Sequence, residues 1–278
     1  MVTCVPPARA RSQLATGPGS RFADVRWAAE TASTNADAIA LARAGEPEGI
    51  VVVADHQTAG RGRQGRTWEA PAGASLLASI LLRPPAAVVE TCTMAVAVAA
   101  AMAVHDVAGF SPRLKWPNDL VWPGDGSAAD RKLSGILAEA DWPEAEEVAV
   151  VVGIGINVHW PDELPAELAE IAIACNHVTD EVVDREDLLV ALLCHLDALY
   201  SPLVATGDRS PLLAAWRARS ATLGRRVRVD LGSEDVVGLA VDVTGDGHLV
   251  VEQDDGERRT IAAGDVIHLR DVIHLRDD

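Results

Sequence analysis

Three arginines separated by glycines, in GRGRQGRT (Gly60 to Thr67), are the residues of this chain whose spacing points most directly to anion chemistry. Glycines let backbone amides approach a ligand closely, and guanidinium forks match carboxylate and phosphate oxygens. Gly60, Gly62 and Gly65 fit both the dinucleotide fingerprint and the glycine loop of a protein kinase, and the whole stretch fits a P-loop with Arg66 in the lysine position. Each template fails on its surroundings. The dinucleotide and P-loop templates need a helix behind the loop, and a dinucleotide site also needs an acid about 20 residues on. Here TWEAPAGAS follows, with Pro71 and Gly73, and the next strand ends in SILLRPP without an acid. The kinase set is missing its V-A-I-K and H-R-D partners. What remains is a loop that surrounds an anion with guanidiniums, has no helix behind it, and is expected to be mobile until a ligand fills it.

Two more cations belong with it. Lys115 and Lys132 are the only lysines in the chain, whose other basic residues are arginines. KWPNDL places Lys115 beside Asn118 and Asp119 in a strand interrupted by Pro117, an edge or bulge signal. RKLSG opens the next strand with Lys132, and GIGIN (Gly153 to Asn157) ends a very apolar strand with two glycines and an amide. Antiparallel pairing of these strands brings Lys115, Asn118, Asp119, Lys132 and Asn157 to one face. Two lysines and three arginines converging on one place demand a polyanionic ligand, and a nucleoside triphosphate with an acid to be activated fits.

The elements that must position these groups are legible from periodicity. FADVRWAAE predicts a strand, and TASTNADAIALARAG a helix capped among Ser33, Thr34 and Asn35, with Asp37 completing a capping box with Thr34 and Gly45 ending it. GIVVVADHQ predicts a buried strand running into the arginine loop, and SLLASILLRPP another, followed by an alanine-rich helix reaching His105 or Asp106. RLKWPNDLVW, RKLSGILAEA and EVAVVVGIGINV predict three consecutive antiparallel strands, and helices follow at about 185–204 and 210–221. Beyond a boundary near Leu223 and Gly224, short alternating runs separated by TGDGH and DDGE predict a small β-barrel. Residues 1–20 read as a flexible tail. DVIHLR at 265–270 recurs at 271–276, and the second copy reads as a peripheral tail because one sheet edge holds only one copy in that register.

Composition narrows the partners. A net charge of −17 repels nucleic acid and membrane surfaces, so the basic island at Arg61, Arg63 and Arg66 reads as a pocket for a small anion. The longest apolar stretch, Thr93 to Val104, is shorter than the ~20 residues of a spanning helix. The four cysteines form no C-x-x-C, which argues against a zinc site and a disulfide framework. With no apolar signal core near the N-terminus, a cytoplasmic location is expected.

In the order STN, HQTAGRGRQGRTW, KWPNDL, RKLSGIL and GIGINV, from about Phe22 to Arg270, the chain resembles the biotin protein ligases. The resemblance implies an α/β (α+β) architecture: a catalytic domain (21–222) on a mixed, largely antiparallel, SH2-like sheet, then a small SH3-like β-barrel (223–270). It implies ATP-dependent activation of biotin to biotinyl-5′-AMP, then transfer of biotin to a lysine of a biotin carboxyl carrier domain of an acyl-CoA or pyruvate carboxylase. By position, Ser33, Thr34, Asn35 and Gln57 should meet biotin, with Gly60, Arg61, Gly62, Arg63, Lys132 and Gly135 beside it. Arg61, Arg66, Trp68, Lys115, Asn118, Lys132, Gly155 and Asn157 should meet ATP or the adenylate, with Trp68 near the adenine. Lys132, Arg63 and Asp119 are the expected catalytic groups: Lys132 to neutralise charge developing on carboxylate and α-phosphate, Asp119 to orient or deprotonate the acceptor lysine, with a structural role beside Asn118 as its alternative. Mg²⁺ is expected to arrive with ATP, with no metal ligands on the protein. His56 is read as structural. Twenty tail residues cannot supply the N-terminal DNA-binding domain some members carry, so a ligase that does not bind nucleic acid or membrane is expected, as a monomer or weak homodimer. A lipoate or other acyl-adenylate ligase is the nearest rival, and a non-catalytic DNA- or nucleotide-binding module is disfavoured by the net acidity.

Overall fold

A computed structural model describes residues 13–14, 20–124, 129–144 and 147–269. The duplicated segment 271–278 and most of the expected tail lie outside the described residues. Leu14, inside the stretch read as a tail, is fully buried in the main core.

Seven strands form the larger sheet: β1 (Asp24–Thr31), β2 (Ile50–Gln57), β3 (Ser75–Leu82), β4 (Arg113–Lys115), β5 (Asp119–Trp122), β6 (Arg131–Glu144) and β7 (Glu147–Asn157), in the order β1-β2-β3-β7-β6-β5-β4. Only β1 and β2 pair in parallel; all other neighbours are antiparallel. The connection between the parallel pair is α1 (Thr34–Arg43), as a βαβ crossover requires. KWPNDL does not interrupt one strand as the sequence predicted. It turns between two short ones, β4 and β5, and Lys115 faces Asp119 across the hairpin. Pro117 has no N–H to give a ladder, so the chain turns there instead of continuing.

Period-two alternation sorts the strands between two cores. Val51 and Val53 of β2 face the main core with α2 (Cys92–Ala108) and α3 (Arg185–Thr206), whereas Ile50 and Val52 pack under α1 with Leu81, Ala149 and Val151. Both α2, with its preceding turn (Ala86–Ala108), and α3 have the length and apolarity of a membrane span; here α2 packs between the sheet and α3 as a core helix. It runs to Ala108, two to three residues beyond the end expected at His105 or Asp106, and Gly109, whose φ is 73°, ends it. The helix α4 (Ser210–Arg219) then leads into the C-terminal sheet.

That sheet holds β8 (Arg226–Asp230), β9 (Asp235–Val243), β10 (Leu249–Glu252), β11 (Arg258–Ile261) and β12 (Asp265–His268), all antiparallel, in the order β11-β10-β9-β8-β12. Among the described residues β11 and β12 do not pair with each other, so the expected barrel is an open five-stranded sheet. The segment just before it extends the larger sheet: Ala221 N–H donates to Leu114 O at 2.7 Å, alongside β4.

Candidate active site

On the α1 side of the larger sheet, the apolar core stops halfway along the strands and a cavity of about 340 Å³ begins. The alternation in β7 shows why. Ala149 and Val151 fill the small core, and the next residues on that face are Gly153 and Gly155, the glycines of GIGIN. Gly155 pairs with Gly135 of β6 and Leu77 of β3, and Gly153 with Leu137 and Ser79. Glycine is required on this floor because side chains from elsewhere lie on it. A Cβ at Gly155 would come within 2.6 Å of the Trp68 indole, and one at Gly135 within 2.9 Å. A Cβ at Gly153 would collide with the amide of Asn35.

One end of the cavity is neutral and hydrogen-bonding. Ser33 caps α1, and Ser33, Thr34 and Asn35 are all buried. The capping box predicted from Asp37 does not form: Asp37 accepts from Thr31 Oγ1 at 2.6 Å, and the Thr34 N–H and hydroxyl donate to Gln57 Oε1 at 2.8 and 3.1 Å. Asn35 Oδ1 accepts from Ser79 at 2.6 Å, while its Nδ2 donates to Glu139 at 2.8 Å and to Leu137 O at 3.2 Å. The first turn of α1 is thereby tied to β2, β3 and β6. A helix N-terminus so oriented adds a partial positive charge at this end.

The other end is cationic. The loop after β2 closes on itself through an Arg61–Thr67 bridge, with Gln64 and Gly65 both in the left-handed region at φ 56° and 73°. Its three guanidiniums reach three different elements: Arg61 pairs with Glu139 at 3.1 Å, Arg63 donates to Asn118 Oδ1 at 3.1 Å, and Arg66 pairs with Asp265 of the C-terminal sheet. Lys132 Nζ lies 2.7 Å from Asp119 Oδ1 and 5.5 Å from the centre of the Trp68 ring. Burial pushes the Arg63 guanidinium and the Lys115 ammonium below their ordinary values, against the charge of Asp119, which favours both cations. Trp68 Nε1 is buried without a protein hydrogen-bond partner. His56 stands apart from this cluster, paired with Glu30 at 3.0 Å.

Of the residues singled out by sequence, Ser33, Thr34, Asn35, Gln57, Arg61, Gly62, Arg63, Arg66, Trp68, Lys115, Asn118, Asp119, Lys132, Gly135 and Gly155 line the one cavity. Two do not. Gly60 is packed against the Trp68 carbonyl, accepts the Trp68 N–H at 3.0 Å, and shapes the loop. Asn157 is buried behind the floor, where its Nδ2 donates to Ile173 O at 3.0 Å and lies 3.5 Å from Lys132 O. It braces the backbone of Lys132, where an adenine contact was expected. Sequence reasoning missed Ser79, Glu139, Asp230 and Asp265, each brought in by pairing between distant segments. Only the alternation of β3 and β6 could have placed Ser79 and Glu139 on the cavity face.

Residues 29–157 match the biotin/lipoate A/B protein ligase family, and residues 222–269 match the biotin protein ligase C-terminal domain. The biotin–[acetyl-CoA-carboxylase] ligase of Mycobacterium tuberculosis is 39% identical over 269 residues, covering 94% of each chain. The bifunctional ligase/repressor BirA of Bacillus subtilis is 32% identical over 83% of this chain and 70% of its own length. The solved structure of the Aquifex aeolicus biotin protein ligase in complex with biotin and ATP superposes with a TM-score of 0.74 at 25% identity, covering 90% of this chain and 100% of that one. With both domains matched and nearly the full length of a curated relative aligned, the chain belongs to the biotin protein ligase family.

Proposed function

We propose that the protein joins biotin to ATP, giving biotinyl-5′-AMP and pyrophosphate, and then passes biotin to a lysine of a carboxyl carrier domain. One observation carries the assignment of roles: a single cavity has a neutral hydrogen-bonding end at Ser33–Asn35 and Gln57 and a cationic end made by Arg61, Arg63, Lys115 and Lys132. The ureido ring of biotin, both donor and acceptor, suits the first end. The carboxylate and α-phosphate suit the second, where repulsion between two anions must be overcome before they react. In the first step a biotin carboxylate oxygen attacks the α-phosphorus and pyrophosphate leaves, with Lys132 offsetting the charge that develops. In the second, the neutral amine of the carrier lysine attacks the anhydride carbonyl, AMP leaves, and Asp119 takes or orients the amine proton. Trp68, lying on the Gly135–Gly155 floor, screens the anhydride from water.

Mg²⁺ fits this site as a passenger on the triphosphate, whose oxygens, with water, would supply most of its ligands. Among the described residues no group of three or more His, Cys, Asp or Glu is placed to hold a metal, and Asp119 is engaged by Lys132. The metal would offset phosphate charge, while the chain's own cations hold and orient the reacting oxygens. An acetyl-CoA carboxylase carrier is the partner class that the relatives' names support. Extension to pyruvate carboxylase, a cytoplasmic location and a monomeric or weakly dimeric state are parts of the same proposal. ATP–pyrophosphate exchange run with biotin, with lipoate and without acid tests the reading. Biotin-dependent exchange supports it, lipoate-dependent exchange moves the protein to the other branch of the matched family, and exchange with neither refutes it.

A further inference from the structure

Where the C-terminal sheet meets the β4–β5 hairpin, a chain of polar groups runs from a carboxylate to the active-site turn. Asp130 Oδ2, its side chain only 6% exposed, lies 2.9 Å from His268 Nδ1 and accepts from Arg225 at 2.9 Å, while Asp130 Oδ1 accepts from the Gly124 N–H at 3.2 Å. His268 Nε2 lies 3.2 Å from Thr222 Oγ1, and Thr222 Oγ1 accepts the Trp116 N–H at 3.0 Å. The Trp116 indole N–H donates to Gly247 O at 2.9 Å, so both N–H groups of Trp116 are held by residues of the C-terminal domain match.

Proton directions follow from the partners. The carboxylate only accepts, so Nδ1 carries the imidazole proton; a bare Nδ1 would set two lone pairs against each other at 2.9 Å. Arg225, 3.1 Å from the same Nδ1, is then a second donor aimed at the shared oxygen. Nε2 is left as an acceptor and receives the Thr222 hydroxyl proton, which turns the hydroxyl oxygen toward Trp116. Every donor points one way, from Trp116 to Asp130, and such chains strengthen bond by bond. The order of groups is that of a nucleophilic triad, but Thr222 is fully buried, which leaves its hydroxyl no substrate.

The turn that this chain grips carries the chemistry. Lys115 precedes Trp116, Asn118 accepts from Arg63 and donates to Ile136 O at 2.6 Å, and Asp119 holds Lys132. We infer that Thr222, His268 and Asp130 are positioning residues, a relay through which the C-terminal sheet sets the Trp116–Asp119 turn in its working geometry. The inference rests on the adenylating function proposed above. It explains why a separate sheet sits beside a catalytic domain that already owns every group expected to contact biotin.

The relay has a built-in pH dependence. His268 is faced by Asp130, Arg225 and Lys115; burial lowers its pKa, the two cations add to that, and the bond and charge of Asp130 oppose it. The net direction is down, so the imidazole is neutral at and above its ordinary 6.5. A second proton, on Nε2, converts the acceptor of the Thr222 hydroxyl into a donor and reverses the chain at that link.

Two readouts on the full-length protein test this together: hydrogen exchange of the amides in 114–120 by mass spectrometry, and the kinetics of biotin-dependent ATP–pyrophosphate exchange from about pH 5 to about pH 8. Thr222→Val and His268→Ala should each speed amide exchange at Trp116 and lower kcat by about ten-fold, the factor one hydrogen bond carries, with the KM for biotin unchanged. The double variant should be no worse than either single one, because both break one chain. His268→Gln, whose amide oxygen reaches the Nε2 position, should recover most of the loss, and the acid limb of kcat should vanish in Thr222→Val. Additive losses, a KM effect in place of a kcat effect, or His268→Gln no better than His268→Ala would overturn the relay. If Thr222→Val does not fold, the His268 pair carries the test. Should the wild type show no biotin-dependent exchange, the functional reading fails on its own, and unaltered amide protection in the variants would still refute the relay.

Discussion

Replacing Lys132 by alanine separates chemistry from fold more sharply than any other change in this site. The side chains of Lys132 and Asp119 are 36% and 23% exposed, so their 2.7 Å pair contributes below about 1 kcal/mol of stability. The melting temperature should fall by no more than about 3 °C. Catalysis is a different matter. A unit charge roughly 4 Å from the developing charge on carboxylate and α-phosphate, at an effective dielectric constant near 20, is worth about 4 kcal/mol. At about 1.4 kcal/mol per decade, Lys132→Ala should lower kcat of biotin-dependent ATP–pyrophosphate exchange about a thousandfold. Lys132→Arg should fall between: it keeps the charge but brings a wider head to a place where Cε and Nζ already lie 3.0 Å from the Cβ position of Gly135. Exchange within ten-fold of wild type in folded Lys132→Ala would show that the charge lies elsewhere, with Lys115 or Arg63, and would refute the reasoning.

Gly155→Ala should push the Trp68 indole off the sheet floor and raise the KM for ATP at least about ten-fold, at an overpacking cost of about 1–3 kcal/mol in stability. Gly153→Ala should act at the other end, displacing the Asn35 amide and raising the KM for biotin, so that steady-state kinetics on the two substrates tell the two glycines apart. Asp265→Asn should release Arg66 from the C-terminal sheet; because Arg66 is 62% exposed, stability should change by less than about 1 kcal/mol, while the KM for ATP falls. Titration should also shape stability. The folded-state pKa of His268 lies below its ordinary 6.5, so on acidification the unfolded chain takes up the proton first, and stability that is complete above pH 6.5 is lost as pH falls through the folded value. Asp130, held down at about 2 chiefly by its hydrogen bond from His268 acting against burial, adds stability present above its ordinary 3.8 and lost toward about 2. In calorimetric scans the slope of stability against pH should differ between wild type and His268→Gln in the higher window and agree above it; parallel curves throughout would exclude His268 as the source.

What the sequence made legible, and what it hid, follows the range over which each interaction acts. Ser33 among the cap candidates, Gly45 as the stop of α1 and the apolar run of β7 are decided within a few residues, and each was readable in place. Asp37 shows the limit: three residues from Thr34 it satisfied a local rule, yet Gln57, twenty-three residues on, outbid it for the Thr34 N–H and left Asp37 to Thr31. The same competition hid the partners of the arginine loop. Arg61 meets Glu139 and Arg66 meets Asp265 only because strand register and the C-terminal sheet bring them within reach, and no spacing rule spans such separations. Asn157 was misjudged for a related reason: an amide closing a glycine-rich strand looks like a ligand contact until the 171–173 segment pairs beside Lys132 and claims it. The cations were legible because an acidic chain that spends only two lysines marks them by contrast. Their counter-charges were not, because a carboxylate among forty-one acidic residues marks nothing until the fold selects it. Local sequence thus announces which groups face the cavity, whereas the groups that hold them still are chosen by topology; that is why the relay from Asp130 to Trp116, whose bonded members lie up to 138 residues apart, could only be read from the folded chain.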